Sequence, residues 1–168
     1  MDKTEKIFKL TLDMLFTLIL IWFGINIIAS IIISHTLNWI FNGQIIVVFK
    51  NLRLIRIPKE KFDAYIERLR KKVKKEASIV WVGIYGSLAR REFKETSDLD
   101  VRLIRKPGFI NGVRACIFTM KERAWATFNI FPLDIYVGDS FEFLKRMRKN
   151  EKPIVIKDFE IKRSVNYA

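Results

Sequence analysis

Two aspartates separated by a single residue, Asp98 and Asp100, are the first side chains in this sequence whose types and spacing suggest chemistry. They open a hydrophobic run over 97–104 that is typical of a strand, in which every second side chain points to the same face. Asp98, Asp100 and Arg102 therefore share one face. Two carboxylates held this close repel each other unless a cation lies between them. The pair predicts a cation site, and a solvent-facing strand end is the alternative interpretation.

A third aspartate repeats the pattern in the run over 131–137, where Asp134 alternates with apolar residues. If the two runs are neighbouring strands, three carboxylates come together on one sheet. Carboxylate oxygens suit Mg²⁺, which keeps several waters and bridges to substrate phosphates. A single His and a single Cys leave little room for imidazole or thiolate chemistry. In an enzyme, carboxylates, hydroxyls and basic side chains would therefore do the work.

The turn that follows the hydrophobic run over 78–85 contains Gly86 and Ser87, which suit a bound phosphate. Glycine lets the backbone approach a ligand closely, and the serine hydroxyl can donate to a phosphate or cap the helix that follows. Arg90 lies three residues further on and can point at the same anion. Arg102 has two interpretations of equal weight: it balances the charge of a triphosphate, or it holds the aspartate pair in a salt bridge.

The run GSLARREFKETSDLDV, which begins at Gly86, closely resembles the signature of the polymerase-beta-like nucleotidyltransferase superfamily. In that signature a Gly-Ser turn is followed, after a short loop, by an Asp-x-Asp pair. The sequence looks most like the minimal (MNT-type) domains, and the resemblance covers roughly residues 60–150. It implies a small mixed sheet with flanking helices. Arg91 departs from the pattern, because a glycine is usual at that position.

The resemblance also implies a role for each site residue. Gly86 and Ser87 match the phosphate-binding turn, and Arg90 matches an arginine near the triphosphate. The metal-binding pair is matched by Asp98 and Asp100. The third carboxylate, a metal ligand that helps to activate the acceptor hydroxyl, is matched by Asp134.

The reaction that the resemblance implies is transfer of a nucleoside monophosphate from an NTP to an acceptor hydroxyl, with release of pyrophosphate. Two Mg²⁺ ions are expected as cofactors, with Mn²⁺ as the alternative. One ion lowers the pKa of the attacking hydroxyl, and the other stabilises the leaving phosphates. Such catalysis depends on positioning and electrostatics, and it needs no histidine.

Strands that alternate with helices must position these residues, which predicts an α/β fold. The strands are expected over 78–85, 97–104 and 131–137. An amphipathic helix is expected after Pro58, because apolar residues recur there at helical spacing. Further helices are expected after Gly108 and over 139–150.

The segment over 14–33 is apolar on every side and contains no Asp, Glu, Lys or Arg. At about 1.5 Å per residue it matches the roughly 30 Å hydrocarbon core of a bilayer. It therefore predicts a transmembrane helix over 14–35, with a signal peptide and a buried core helix as alternatives. Residues 36–57 are expected to form an interfacial segment or the second half of a membrane hairpin. The expected domains are then an N-terminal flank over 1–13, a nucleotidyltransferase domain over 58–150 and a C-terminal extension over 151–168.

The net charge is +13, from 31 Lys and Arg against 18 Asp and Glu, which favours anionic partners. Basic residues that follow the apolar segment outnumber those that precede it. By the positive-inside rule, the catalytic domain of a membrane-anchored protein then faces the cytoplasm. The basic residues after the segment are Lys50, Arg53, Arg56, Lys59 and Lys61, and those before it are Lys3, Lys6 and Lys9.

The expected partners are an NTP, the lipid bilayer and an acceptor. The acceptor is a membrane-associated glycan or lipid intermediate, or a partner protein. Nucleic acid is not expected, because no RNA-binding or zinc motif is present. Three hypotheses stay open: a membrane-anchored nucleotidyltransferase, an antitoxin-like regulatory MNT-type module that nucleotidylates a partner protein, and an inactive nucleotide-binding scaffold.

Overall fold

The structure is a computed structural model that describes residues 3–52, 55–147 and 151–158, and it is a mixed α/β fold built on a four-stranded sheet. This confirms the predicted small mixed sheet with flanking helices. The helices are α1 (Lys3–Trp22), α2 (Ile27–Phe41), α3 (Gln44–Asn51), α4 (Lys59–Lys75), α5 (Gly86–Ala89) and α6 (Phe109–Phe128), and a 3₁₀ helix covers Phe141–Arg146. The strands are β1 (Ile79–Tyr85), β2 (Leu99–Arg105), β3 (Leu133–Gly138) and β4 (Ile154–Asp158).

The order of the strands across the sheet is β3-β2-β1-β4. β1 pairs with β2 and with β4 in antiparallel fashion, whereas β2 and β3 are parallel. A parallel pair needs a crossover connection, and α6 supplies it. Asp100 on β2 lies in register with Asp134 on β3 and with Tyr85 at the end of β1. The register therefore brings the predicted chemistry to one end of three adjacent strands.

The core lies between the sheet and α4, whose apolar stripe begins just after Pro58 as the spacing predicts. Phe62, Leu69 and Val73 are completely buried on the inner face of α4. On β2, the alternate residues Leu99 and Val101 are completely buried as well. Each such side chain contributes about 1.5–3 kcal/mol relative to an exposed one. Because Leu99 and Val101 point into the core, the side chains of Asp98 and Asp100 must point to the opposite face of the sheet.

A buried acidic side chain, Glu122, joins α6 to α4. Its carboxylate is 2.7 Å from the Arg68 guanidinium and 2.6 Å from the Lys72 ammonium, and the Tyr65 hydroxyl donates to it at 3.2 Å. A buried carboxylate is tolerated only when charged and hydrogen-bonding partners surround it in this way. The cluster fixes α6, and with it the connection between β2 and β3.

The N-terminal helices differ from the prediction, because the single helix expected over 14–35 is divided between α1 and α2. The chain turns at residues 23–26, where Gly24 has a φ of 82° and the side chain of Asn26 accepts a hydrogen bond from the Ile28 N–H. Ser34 Oγ donates to the carbonyl of Asp13, so the two helices run antiparallel as a hairpin. Glycine tolerates the left-handed turn and asparagine caps a new helix, which explains the break.

The turn end of this hairpin exposes large apolar side chains, with Trp22 80% exposed, Phe23 69% and Ile28 66%. The opposite end packs on α6, where the Thr127 hydroxyl donates to the carbonyl of Ile40 at 3.2 Å. Within the described ranges, we find no helix whose length and apolar character would let it cross a membrane.

The C-terminal part of the sheet departs from prediction in two ways. β4 lies within the stretch expected to be an extension, and it pairs along β1 as an edge strand of the sheet. In place of the helix expected over 139–150, the described residues contain only the short 3₁₀ helix at Phe141–Arg146, in which Phe143 packs against the backbone of Gly138, and residues 148–150 lie outside the described residues. The rest of the expected extension, 159–168, lies outside the described residues, and so does Arg53.

Candidate functional site

Six of the seven predicted site residues line one cavity at the end of β1 and β2. The cavity has a volume of about 370 Å³. The residues are Gly86, Ser87, Arg90, Asp98, Asp100 and Arg102. The seventh, Asp134, lies beside Asp100 on β3 and lines an adjacent cavity of about 240 Å³, to which Asp98 also contributes. The structure therefore brings all seven residues to one region of the molecule.

Gly86 approaches the aspartates so closely that no larger residue fits there. Its φ is 77°, in the left-handed region that favours glycine. A Cβ at this position would overlap the carboxylate of Asp100. The close backbone approach predicted for Gly86 is therefore an approach to the Asp100 carboxylate. The turn and the aspartate pair form one continuous surface.

Burial and neighbouring negative charge destabilise the ionised form of the Asp100 carboxyl. Burial and the neighbouring Asp98 carboxylate raise its pKa from 3.8 to about 7, against the opposing effect of Arg102, and Asp134 adds to the rise. A buried carboxyl whose pKa is raised by a neighbouring carboxylate in this way marks a site that gains from a cation.

Arg102 forms ion pairs within the site. Its guanidinium Nη2 lies 2.9 Å from Asp134 Oδ2 and 3.5 Å from Asp100 Oδ1. The structure thus shows the salt-bridge interpretation of Arg102. Contact between Arg102 and a triphosphate stays a prediction.

Lys50 is a site residue that sequence reasoning assigned only to the basic stretch beside the membrane. It lies on α3, and its ammonium is 2.5 Å from Asp98 Oδ2. A cation therefore already sits on the first aspartate of the pair. Nothing in the local sequence around Lys50 signals this contact, because it depends on how α3 packs against the sheet.

Glu151 is the second residue that sequence reasoning missed. Its carboxylate accepts a hydrogen bond from the Gly86 backbone N–H and lies 2.9 Å from Nη1 of Arg90. Only 5% of the Glu151 side chain is exposed. The turn therefore binds an anionic group in the structure, and that group is the Glu151 side chain of the same chain.

Ser87 completes the anion-binding turn. Its hydroxyl oxygen is buried and has no hydrogen-bond partner among the described residues, although it borders the cavity. A buried hydroxyl without a partner costs free energy, which a ligand that accepts its hydrogen bond would recover. The Gly86 N–H, the Ser87 hydroxyl and the Arg90 guanidinium thus present three donors to one space.

The carboxylate oxygens of the aspartates are the type of ligand that a hard divalent cation prefers. In the part of the chain that the structure describes, no group of three or more His, Cys, Asp or Glu side chains is arranged to hold a metal ion as it stands. In the structure, Lys50 and Arg102 form ion pairs with these carboxylates. Asp98 and Asp100 are the side chains that would supply oxygen ligands to a divalent ion.

No protein-family model, curated protein or solved structure matches this chain. What the site does is therefore inferred from its own residues and their geometry.

Proposed function

We propose that this protein is a metal-dependent nucleotidyltransferase, which transfers a nucleoside monophosphate from an NTP to an acceptor hydroxyl and releases pyrophosphate. The observation that carries the proposal is the shared cavity, in which the anion-binding turn at Gly86 contacts the carboxylate of Asp100. A nucleoside triphosphate bridged by a divalent cation is the ligand that needs anion donors and carboxylates side by side. The resemblance of this run to the signature of the polymerase-beta-like superfamily supports the same reaction.

In this mechanism the turn binds the leaving phosphates. The Gly86 N–H and the Arg90 guanidinium exchange the Glu151 carboxylate for phosphate oxygens, and the Ser87 hydroxyl donates to the same group. Asp98 and Asp100 hold Mg²⁺, or Mn²⁺ as the alternative, which when bound supplies charge neutralisation and lowers the pKa of the attacking hydroxyl.

The chemical step is an in-line displacement at the α-phosphorus. The acceptor oxygen forms the new P–O bond, and the bond between the α-phosphorus and the bridging oxygen to the β-phosphate breaks. Pyrophosphate takes the electron pair of that bond. Asp134, in register with Asp100 on the neighbouring strand, accepts the proton of the acceptor hydroxyl.

The proposal also places the protein at the membrane, with the catalytic domain facing the cytoplasm. The charge-free part of α1, from Met14 to Trp22, is about 13 Å long at 1.5 Å per residue, which is about half of the hydrocarbon core. At the hairpin turn, the N–H groups of Phe23, Gly24 and Ile25 donate to backbone carbonyls of α1. A backbone whose donors are satisfied internally suits an environment without water.

Membrane association is tested by flotation of the full chain with phospholipid vesicles. Ile28→Asp puts a charge on the exposed end of the hairpin and is expected to abolish flotation. Ile110→Asp is the matched control, because Ile110 is equally exposed, at 74%, but lies on α6. Equal flotation of both variants would contradict insertion of the hairpin.

The transferase is tested with the full chain in detergent, Mg²⁺ and each NTP labelled at the α-phosphate, with a membrane extract as the source of acceptor. We expect label transfer and pyrophosphate release, reduced about 100-fold or more by Asp98→Asn because the variant loses metal-assisted stabilisation. Asp63→Asn, on the exposed face of α4, is the control and should leave the rate unchanged.

The inactive scaffold is the second candidate, favoured by the ion pairs of Lys50 and Arg102 that already neutralise the aspartates. It predicts NTP binding without transfer. NTP binding that neither requires Mg²⁺ nor responds to Asp98→Asn would favour the scaffold. Absence of any NTP binding would contradict both functions.

A further inference from the structure

The cavity of about 240 Å³ beside Asp134 is lined by Asp98 but not by Gly86, Ser87 or Arg90, the residues of the anion-binding turn. We propose that it is the acceptor subsite, and that it takes a hydroxyl compound bearing an anionic group such as a phosphate. The inference rests on the proposed function, and it names the acceptor class that the sequence leaves open.

The position of this cavity suits the acceptor. In-line displacement requires the attacking oxygen and the leaving pyrophosphate to lie on opposite sides of the α-phosphorus. The cavity with Gly86 and Ser87 lies at the β1 side of β2, and the second cavity lies at the β3 side. Asp98 on the approach to β2 contributes to both. If the α-phosphorus is held at Asp98 and Asp100, the leaving oxygen therefore points to the cavity with Gly86 and Ser87. The attacking oxygen then comes from the cavity beside Asp134.

The wall of the cavity carries two cations. Lys9 on α1 and Arg123 on α6 both line it, and both contact the buried Glu5 carboxylate, at 3.2 and 2.6 Å. Burial and the nearby Arg123 lower the pKa of Lys9. An anion in the cavity would offset the repulsion between Lys9 and Arg123, because it attracts both cations. Asp98 and Asp134 line the same cavity. The cavity thus suits an acceptor whose anionic group lies at Lys9 and Arg123 and whose hydroxyl lies at Asp134.

Tyr136 provides a rigid hydroxyl next to the proton acceptor. It is two residues from Asp134 on the same face of β3, and the guanidinium carbons of Arg102 and Arg123 lie 5.0 and 5.1 Å from the centroid of its ring. A tyrosine hydroxyl can both donate and accept a hydrogen bond. It can therefore orient the acceptor hydroxyl, whose proton passes to Asp134 as the new P–O bond forms and pyrophosphate leaves.

The N-terminal hairpin builds one side of the cavity. Lys9 comes from α1, and Asn42 and Gly43 come from the turn between α2 and α3. The Asn42 side chain accepts a hydrogen bond from Arg123 at 3.1 Å, which ties this turn to α6. The α1–α2 hairpin therefore exposes apolar side chains at its turn and forms one side of the proposed acceptor cavity at its opposite end. An anionic hydroxyl compound can reach this wall as a free metabolite or as the headgroup of a lipid.

The test uses the full chain with Mg²⁺ and the NTP that it binds, and it supplies defined acceptors. The soluble probe is glycerol 3-phosphate, with glycerol as the uncharged control. The lipid probe is phosphatidylglycerol in vesicles, with phosphatidylcholine vesicles as the control without a headgroup hydroxyl. Label transfer to glycerol 3-phosphate or phosphatidylglycerol, and not to the controls, is expected, and the preferred probe identifies the source of the acceptor. Transfer to neither anionic probe, while Mg²⁺-dependent NTP binding is intact, would overturn the inference.

Variants of Lys9 separate the acceptor subsite from the NTP site. Lys9→Gln is expected to raise the KM for the anionic acceptor about tenfold, the size of one lost charge-assisted contact, and to leave the Kd for Mg²⁺-NTP within about twofold. Lys9→Arg should restore the KM. Lys6→Gln removes the same charge from an exposed position on α1 and should change neither constant. Equal effects of Lys9→Gln on NTP and acceptor would overturn the assignment, and absence of NTP binding in the wild type would instead contradict the proposed function.

Discussion

Replacing Asp100 by Asn is expected to stabilise the metal-free protein while it removes a metal ligand. Burial and the Asp98 carboxylate raise the pKa of Asp100 from 3.8 to about 7, and 22% of the side chain is exposed. That rise corresponds to about 4 kcal/mol against the ionised form. Asparagine has nearly the same shape and carries no charge, so the variant escapes this penalty.

The size of the effect depends on pH in a defined direction. Because the pKa is higher in the folded protein, the folded state binds more protons than the unfolded state between pH 4 and 7. The wild type therefore loses stability as pH rises through this window, and the variant does not. The gain from Asp100→Asn should be about 2 kcal/mol at pH 5 and about 4 kcal/mol at pH 8.

The measurement is urea unfolding at pH 5 and pH 8, followed by tryptophan fluorescence, with EDTA present. Asp63→Asn on the exposed face of α4 serves as the control for loss of a negative charge. With millimolar Mg²⁺ in place of EDTA, the wild type should gain stability and the variant should not, because only the wild type binds the ion tightly. A variant less stable than the wild type at pH 8 in EDTA would refute the reasoning, since it would mean that the Arg102 ion pair outweighs burial and repulsion.

Three further substitutions test other features, each in the full chain. Arg91 has a φ of 62°, so Arg91→Gly should raise the free energy of unfolding by about 0.5–1 kcal/mol, and a decrease would contradict left-handed strain there. Glu122→Gln should lower the free energy of unfolding by about 1.5 kcal/mol, because the partly exposed Arg68 and Lys72 lose charge-assisted hydrogen bonds to a buried carboxylate, whereas the exposed Glu67→Gln should change it by under about 0.5 kcal/mol. Glu151→Gln should tighten Mg²⁺-ATP binding about tenfold in calorimetry, because it removes the negative charge that competes with the phosphates for the turn. Weaker binding would show that Glu151 does not compete with the nucleotide.

Local patterns in the sequence predict three of the four strands and the central residues of the site. The strand expected over 97–104 is β2 at Leu99–Arg105, because polar and apolar residues alternate from Asp98 to Leu103 and so identify both the strand and its buried face. The spacing of Asp98 and Asp100 within that run is enough to place them together. Even the departure at Arg91 corresponds to structure, because the residue that replaces the usual glycine has a positive φ.

Features that depend on distant parts of the chain escaped prediction. Glu151 reaches Gly86 across 65 residues, and no spacing rule connects them. The turn at Gly24 was missed because hydropathy over 14–33 is uniformly apolar, although one glycine and one cap are enough to reverse the chain there. β4 was missed because its edge position leaves Ile154 and Val155 exposed, so its pattern lacks a clear buried face.

The ion pair between Lys50 and Asp98 joins two parts of the molecule. Lys50 belongs to α3, which follows directly from the N-terminal hairpin, whereas Asp98 belongs to the sheet. A divalent ion at Asp98 would displace the ammonium, so α3 would lose this contact with the sheet. The affinity for the ion would be lowered by the free energy of the contact it replaces. By reciprocity, a change at the hairpin that breaks the contact would strengthen metal binding at Asp98.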